Sequence, residues 1–268
     1  MATRGNPEYS VAPWTVGARR VMRVRRPSVF AVLLTVAGVA VFCALGAWQL
    51  RRAAYKETVL ARFHNAAGAP LVSLSAAHAD REPDAYPHVK VTGNLEGNHV
   101  YLLDDQMRAG RLGLMVFVPF RPDDSARVLL VNLGFLARMG PDTTTLPDVP
   151  PIPGHAVTLE GIYAPPPLPG LKLGGNPLPR EKTWPKLVTF IDLHQIASDL
   201  GATVYPHVLL TDPDPHSAYI RSWTANVMPP ARHRAYALQW FCFAIAAVVM
   251  FFVLHRVKRD DASTDNEG

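Results

Sequence analysis

Val29–Trp48 reads VFAVLLTVAGVAVFCALGAW, and Ala235–Leu254 reads AYALQWFCFAIAAVVMFFVL. Neither stretch holds a charged residue. Each is about 20 residues long, the length a helix needs to cross roughly 30 Å of hydrocarbon. In lipid the backbone must satisfy its own hydrogen bonds, so uniformly apolar runs read as helices. With polar sequence between them, the two stretches predict a hairpin of transmembrane helices holding one extramembrane domain. Both termini then lie on one side. Two spans argue against a solute-conducting transporter, and the spans themselves against a soluble enzyme.

The chain has 268 residues and a formal net charge of +5. Its cations cluster at the spans. Arg19, Arg20, Arg23, Arg25 and Arg26 precede the first, while Arg256, Lys258 and Arg259 follow the second. This asymmetry reads as the positive-inside rule rather than as nucleic-acid binding. It predicts cytoplasmic tails over 1–28 and 255–268, spans over 29–48 and 235–254, and an extracytoplasmic domain over 49–234. Arg51, Arg52, Lys56, Arg62, Arg232 and Arg234 on the far side do not reverse this, because long loops cross largely regardless of charge. Ala44-Leu45-Gly46 is a passable signal-cleavage site. The apolar run exceeds a usual signal core, however, and a retained anchor is expected.

The two cysteines, Cys43 and Cys242, both lie inside the spans, so the outer domain is expected to have no disulfide. They read as small apolar side chains.

After the first span, Gln49–His64 mixes charged and small apolar residues and reads as a helix continuing into water, broken at Gly68-Ala69-Pro70. Ser73–Ala79 suggests a short helix. From Tyr86 the texture turns to strands. Val89–Leu95, Val100–Leu103 and Ala156–Tyr163 alternate; Leu112–Phe120 and Arg127–Leu136 are apolar runs too short for helices. Asn132 and Gly134 are poor mid-strand residues and predict close contact with a loop or a packed neighbour. Pro141–Pro153 and Ala164–Pro185 are Pro-rich loops. Leu187–Phe190 leads into a helix at Asp192–Leu200, capped by Asp192 and ended by Gly201. His207–Leu210 and Tyr219–Trp223 are further strand candidates, and Met228-Pro229-Pro230 is an elbow into the second span. The expected fold is a two-helix transmembrane hairpin with an α+β, mostly antiparallel β extracytoplasmic domain.

Enzyme signatures are absent: there is no G-x-S-x-G, P-loop, G-x-G-x-x-G, H-E-x-x-H or C-x-x-C. Gly170–Gly175 lacks the strand–turn–helix setting of a phosphate cradle. Asp104-Asp105 and Asp123-Asp124 read as solvated turns. Ten histidines are scattered without ligand spacing. His233 stands apart by position, at the outer membrane interface one turn before Tyr236 and two before Trp240. Neutral imidazole is a haem-iron ligand, and an apolar slot suits a porphyrin face. Beside Arg232 and Arg234 it also reads as a headgroup contact, the blander of the two. An aromatic belt accounts for Trp48 and Trp240. Gln49 and Gln239 want polar partners, and the pair suggests that the two span ends meet there.

Gly46-Ala47-Trp48-Gln49-Leu50-Arg51-Arg52-Ala53-Ala54-Tyr55-Lys56 resembles the G-x-W-Q-x-x-R-x-x-W-K signature of the Surfeit locus protein 1 family, with Tyr55 in place of Trp. Val131–Ala137 is similar to that family's V-N-R-G-W-V-P strand, with Leu133, Phe135 and Ala137 in place of Arg, Trp and Pro. The stretch from Asn176 through Trp184 to the Asp192 helix is similar to its Pro- and Asn-containing loop and short helix. His233–Phe241 resembles the closing H-L-x-Y-A-x-T-W-F, with Gln239 in place of Thr.

The resemblance implies a non-catalytic assembly factor for a haem-copper terminal oxidase that binds haem a and helps deliver it to the catalytic subunit. It implies an inner-membrane location, bacterial or mitochondrial; the bacterial inner membrane, with both termini cytoplasmic as the cation asymmetry predicts, is the one expected. The oxidase catalytic subunit, the haem a synthesis machinery and the lipid bilayer are the implied partners. His233 becomes the candidate iron ligand, with Tyr236, Trp240 and Trp48 against the macrocycle and Arg52, or alternatively Arg232, toward its propionates. The competing reading is a membrane-anchored scaffold that stabilises the oxidase subunit without binding haem. A tethered hydrolase has no nucleophile–base signature behind it.

Overall fold

The computed structural model describes residues 26–80, 82, 84–138, 146–152, 154–168, 175–225 and 227–256. Most of both expected tails lies outside the described residues, with Arg19, Arg20, Arg23, Arg25, Lys258 and Arg259. So do parts of the two Pro-rich loops, including 170–174 of the Gly170–Gly175 stretch. Along the chain the elements are α1 (Val29–Ala66), β1 (Val72–Ser73), α2 (Leu74–Ala79), β2 (His88–Leu95), β3 (Tyr101–Arg108), β4 (Arg111–Pro122), β5 (Val128–Ala137), β6 (Ala156–Ala164), a 3-10 turn (Leu178–Arg180), β7 (Lys186–Val188), α3 (Leu193–Leu200), β8 (Val204–Thr211) and α4 (Pro230–Leu254). They fall into two compact units, Met1–Leu50 with Arg234–Gly268, and Arg51–His233.

In the first unit, the apolar part of α1 runs beside α4, and both helices are long and apolar enough to cross a membrane. Their contact uses small residues. A side chain at Gly46 would meet the Phe241 ring at 2.7 Å, and Ala237 and Ala244 are buried. Without a hydrophobic drive between helices in lipid, close approach of this kind supplies the packing. The remaining faces are apolar and exposed, as at Phe30, Leu34 and Leu254.

The second unit is built on one eight-stranded mixed sheet in the order β1-β2-β6-β8-β5-β4-β3-β7. β4 also returns to β2 through Gly93↔Pro122, Asn94↔Arg121 and Leu95↔Phe120. Five strands, β2, β6, β8, β5 and β4, thus close on themselves as a small barrel. The closure needs Gly93, because a Cβ there would lie 2.1 Å from the Arg121 carbonyl oxygen. The sheet is mixed, with antiparallel pairings in the majority. β1 with β2, β3 with β7, and β5 with β8 are parallel pairs. Period-two patterning fixes which face of a strand is buried, but says nothing of the direction of its partner.

The pleat sends alternate residues to two cores. Val91, Val116, Val118, Phe120, Val131 and Leu209 fill the barrel, where Leu74 and Ala77 of α2 join them. Phe117, Leu130, Phe135 and Val208 face outward, under Val59 and Phe63 of α1 and Ile196 of α3. Burial on both faces is why β4 and β5 read as continuous apolar runs, whereas β2, covered on one face, alternates.

The local signals are set by simple chemistry. Asp192 caps α3 by accepting from the His194 and Gln195 amides at 3.0 and 3.3 Å, and Gly201 ends it with φ 59°. Ser73 caps α2. Ala109 and Gly110, both with positive φ, turn β3 into β4. Asp199 pins α3 to the sheet by accepting from Tyr101 Oη at 2.9 Å and Lys186 Nζ at 2.5 Å. Burial, reinforced by that carboxylate, raises the Tyr101 phenol far above its ordinary value.

Candidate functional site

α4 begins at Pro230, which costs no hydrogen bond at a helix start. His233 sits in its first turn and is only 8% exposed. From there the less exposed positions recur as His233, Ala237, Trp240 and Ala244, at spacings that mark one stripe of a helix. Tyr236 lies one position off that stripe and is exposed. The His233 imidazole therefore heads an otherwise apolar and aromatic row, in the last turn before the membrane-length segment.

The five residues singled out by sequence divide between the units. Trp48, Tyr236 and Trp240 belong to the helical unit; Arg52 and His233 belong to the sheet-bearing unit. Trp240 stacks on Phe42 at 5.9 Å and meets Phe243 edge-on at 5.8 Å. It is therefore Phe42, six residues before Trp48, that receives Trp240. Trp48 itself is 52% exposed. The Arg52 guanidinium lies 5.2 Å from the Tyr55 ring centroid. Tyr55 donates to Asp84 at 2.7 Å, a bond that, with the charge of Asp84, raises its phenol pKa.

Among the described residues, no three His, Cys, Asp or Glu side chains gather as a site for a bare metal ion. A haem asks less, since the porphyrin already holds the iron and the protein adds an axial ligand. An imidazole such as that of His233 is one such ligand. Of the other histidines, His88 is held at both nitrogens, by the Ala69 carbonyl at 3.2 Å and Asp212 at 2.7 Å.

Sequence reasoning did not find a cleft of about 490 Å³ on the outer face of the barrel. Its lining includes Lys56, Phe63, Arg108, Asn132 and Trp223. One signal was present: Asn132 and Gly134 interrupt an apolar strand. At that interruption Gly134 has φ 133°, the strand bulges, and Phe135 bridges Ile220. A Cβ on Gly134 would lie 2.8 Å from Tyr219 Cβ.

Fold and site together define a class: two membrane-length helices bracketing a β-barrel domain, with a histidine at the start of the second. The model of the SURF1 family matches residues 36–245. A SURF1-like protein of Monosiga brevicollis is 25% identical over 236 residues, covering 79% of this chain and 82% of its own length. The chain belongs to the SURF1 family. That family is linked in general to cytochrome c oxidase assembly and is one of assembly factors, not of known catalysts.

Proposed function

We propose that this chain is an assembly factor for a haem-copper terminal oxidase, and that it holds haem a and helps pass it to the catalytic subunit. The observation that carries the haem reading is His233, an enclosed imidazole at the head of the apolar stripe of α4. In this reading His233 supplies an axial ligand to the iron. Trp48, Tyr236 and Trp240 offer ring faces to the macrocycle. Arg52 meets a propionate, for which a planar guanidinium is well shaped. Bound there, haem a is kept in an apolar setting with its charged edge toward water. The haem a synthesis machinery supplies it and the oxidase catalytic subunit takes it up.

The membrane is that of a bacterial cell, with both termini cytoplasmic and the β domain outside. The orientation rests on the cation excess before the first span and after the second.

The test is colour. Full-length protein purified from cells that make haem a should carry a Soret band, and His233→Ala should lose most of it while keeping its membrane insertion and β-rich circular dichroism. Full haem occupancy in the variant would remove His233 as the ligand. A colourless wild type that still co-purifies with the oxidase subunit would put the scaffold reading first.

A further inference from the structure

The outer-face cleft has chemistry that neither the barrel nor α4 uses. Asn132 is 1% exposed, and its side chain lines the cleft. Its Oδ1 accepts the Gly134 amide at 3.0 Å, which fixes the carboxamide orientation. With Oδ1 engaged, Nδ2 is the end of the amide left to donate to a ligand. Arg108 adds an orphan donor, since its Nε is buried and makes no hydrogen bond. Orphan donors of this kind are uncommon in native proteins and invite a reason. Lys56 contributes a further cation. The carboxylate in the lining, Asp84, already accepts from Tyr55. The polar balance is therefore one of donors and positive charge waiting for an acceptor.

Apart from Gln106 and Thr224, the rest of the lining is largely apolar, including Phe63, Met115, Leu168, Leu210 and Trp223. The sheet register gives the cleft its length. Arg108 pairs with Arg111 and Asn132 with Phe117, so the two donors stand six residues apart along β4. At the rise of an extended strand this is about 20 Å, the span of roughly six extended residues. A compact metabolite would leave one end unmet. The backbone nearby is also strained, with Asp84 and Tyr86 both at positive φ beside the cleft.

We propose that this cleft binds an extended peptide segment of a partner protein, with a carboxylate held near Arg108 and Lys56, a backbone carbonyl accepting from Asn132 Nδ2, and apolar side chains on the Phe63–Met115–Trp223 floor. The carboxylate belongs to an acidic side chain or to a chain end. The site lies wholly within the sheet-bearing unit and stands independently of the haem reading.

The experiment uses the full chain in detergent and fluorescent capped hexapeptides of leucine, phenylalanine and one glutamate. Parallel probes are the glutamine version, an uncharged hexapeptide with a free C-terminus, and oleate. The glutamate peptide should bind saturably and the glutamine peptide about tenfold more weakly, the loss expected of a charge-assisted hydrogen bond. Tight binding of the free-ended peptide would assign the carboxylate to a chain end. Arg108→Gln and Asn132→Asp, the latter keeping the acceptor for Gly134, should each weaken binding several-fold. The glutamate–glutamine contrast is read on the unaltered chain, so a variant that fails to fold leaves the test intact. Equal affinity for the glutamate and glutamine peptides, with no free-end preference, would overturn the proposal. So would undiminished binding by both folded variants, or no saturation at millimolar peptide. Oleate binding that displaces the peptide and shares its dependence on Arg108 would reassign the cleft to lipid.

Discussion

α1 is one unbroken helix with two different environments along it. Over Val29–Leu45 it exposes Val29, Phe30, Leu33, Leu34 and Val36 on several faces, a pattern suited to lipid. Over Arg51–Ala66 it buries Ala53, Val59, Phe63 and Ala66 and turns Arg51, Arg52 and Arg62 outward, the stripe of a helix that covers a protein core. The first part is legible from hydropathy alone and the second only from period. Averaged over the whole helix, each signal blurs the other. A helix end is thus a poor guide to where one solvent gives way to the next; the change in exposure pattern is the better one.

The sharpest way to break that comparison is to truncate one large residue in each part. Phe63→Ala should destabilise the sheet-bearing unit by about 3 kcal/mol or more, because Phe63 is 5% exposed and meets Tyr86 edge-on at 5.1 Å. Leu34→Ala should leave the urea midpoint of that unit where it was, since Leu34 is 62% exposed. Equal shifts would show that the two parts do not answer to different surroundings.

A smaller effect sharpens the lipid-facing part. Gly46→Leu should force α1 and α4 apart, at a cost of about 1–3 kcal/mol for overpacking. Spin labels on the native Cys43 and Cys242 should report a longer, broader distance distribution. Adding Phe241→Ala should restore the shorter one, because Phe241 is the ring a Gly46 side chain would strike. No change in Gly46→Leu would mean that this contact is not what brings the helices together.

The smallest effect belongs to the sheet-bearing unit. Burial, with the nearby His78, lowers the His207 pKa. The unfolded chain therefore takes up this proton more readily than the folded one. The stability that His207 contributes is full above about pH 6.5, the ordinary histidine value, and falls as pH drops below it toward the lowered folded value. His207→Gln should flatten that limb of a plot of urea midpoint against pH. An unaltered slope would assign it to other groups.

Much of the sheet-bearing unit was legible because its local signals agree. Asp192 and Gly201 bracket α3 as expected, and β2, β4, β5 and β6 fall on the stretches read as strands. What stayed hidden was set by distant partners. The parallel pairing of β5 with β8 joins residues about 80 positions apart, and nothing local encodes it. β3 runs on through the polar Asp104–Arg108 because a bulge between Leu103 and Gln106, with Asp105 at φ 54°, re-aims it. Tyr219–Trp223 was expected as a strand and makes one bridge instead. Arg221 holds it to the Leu133 and Asp212 carbonyls with its side chain, and Trp223 donates to the Thr211 carbonyl. The histidine at the head of α4 was visible from position. The cleft was not, because Arg108, Asn132 and Trp223 are far apart in sequence and converge only in the fold.

The return of β4 to β2 has a consequence for how this domain behaves in a crowded compartment. A sheet that closes on itself offers a stray chain few unpaired backbone groups to copy. The outermost strands here are Val72–Ser73 and Lys186–Val188, two and three residues long. The part of β3 that β7 leaves uncovered is bulged and carries Asp105 and Arg108. Short ends, a kink and charge are what discourage strand-by-strand aggregation. A domain built this way can thus stand beside its own copies without zipping to them.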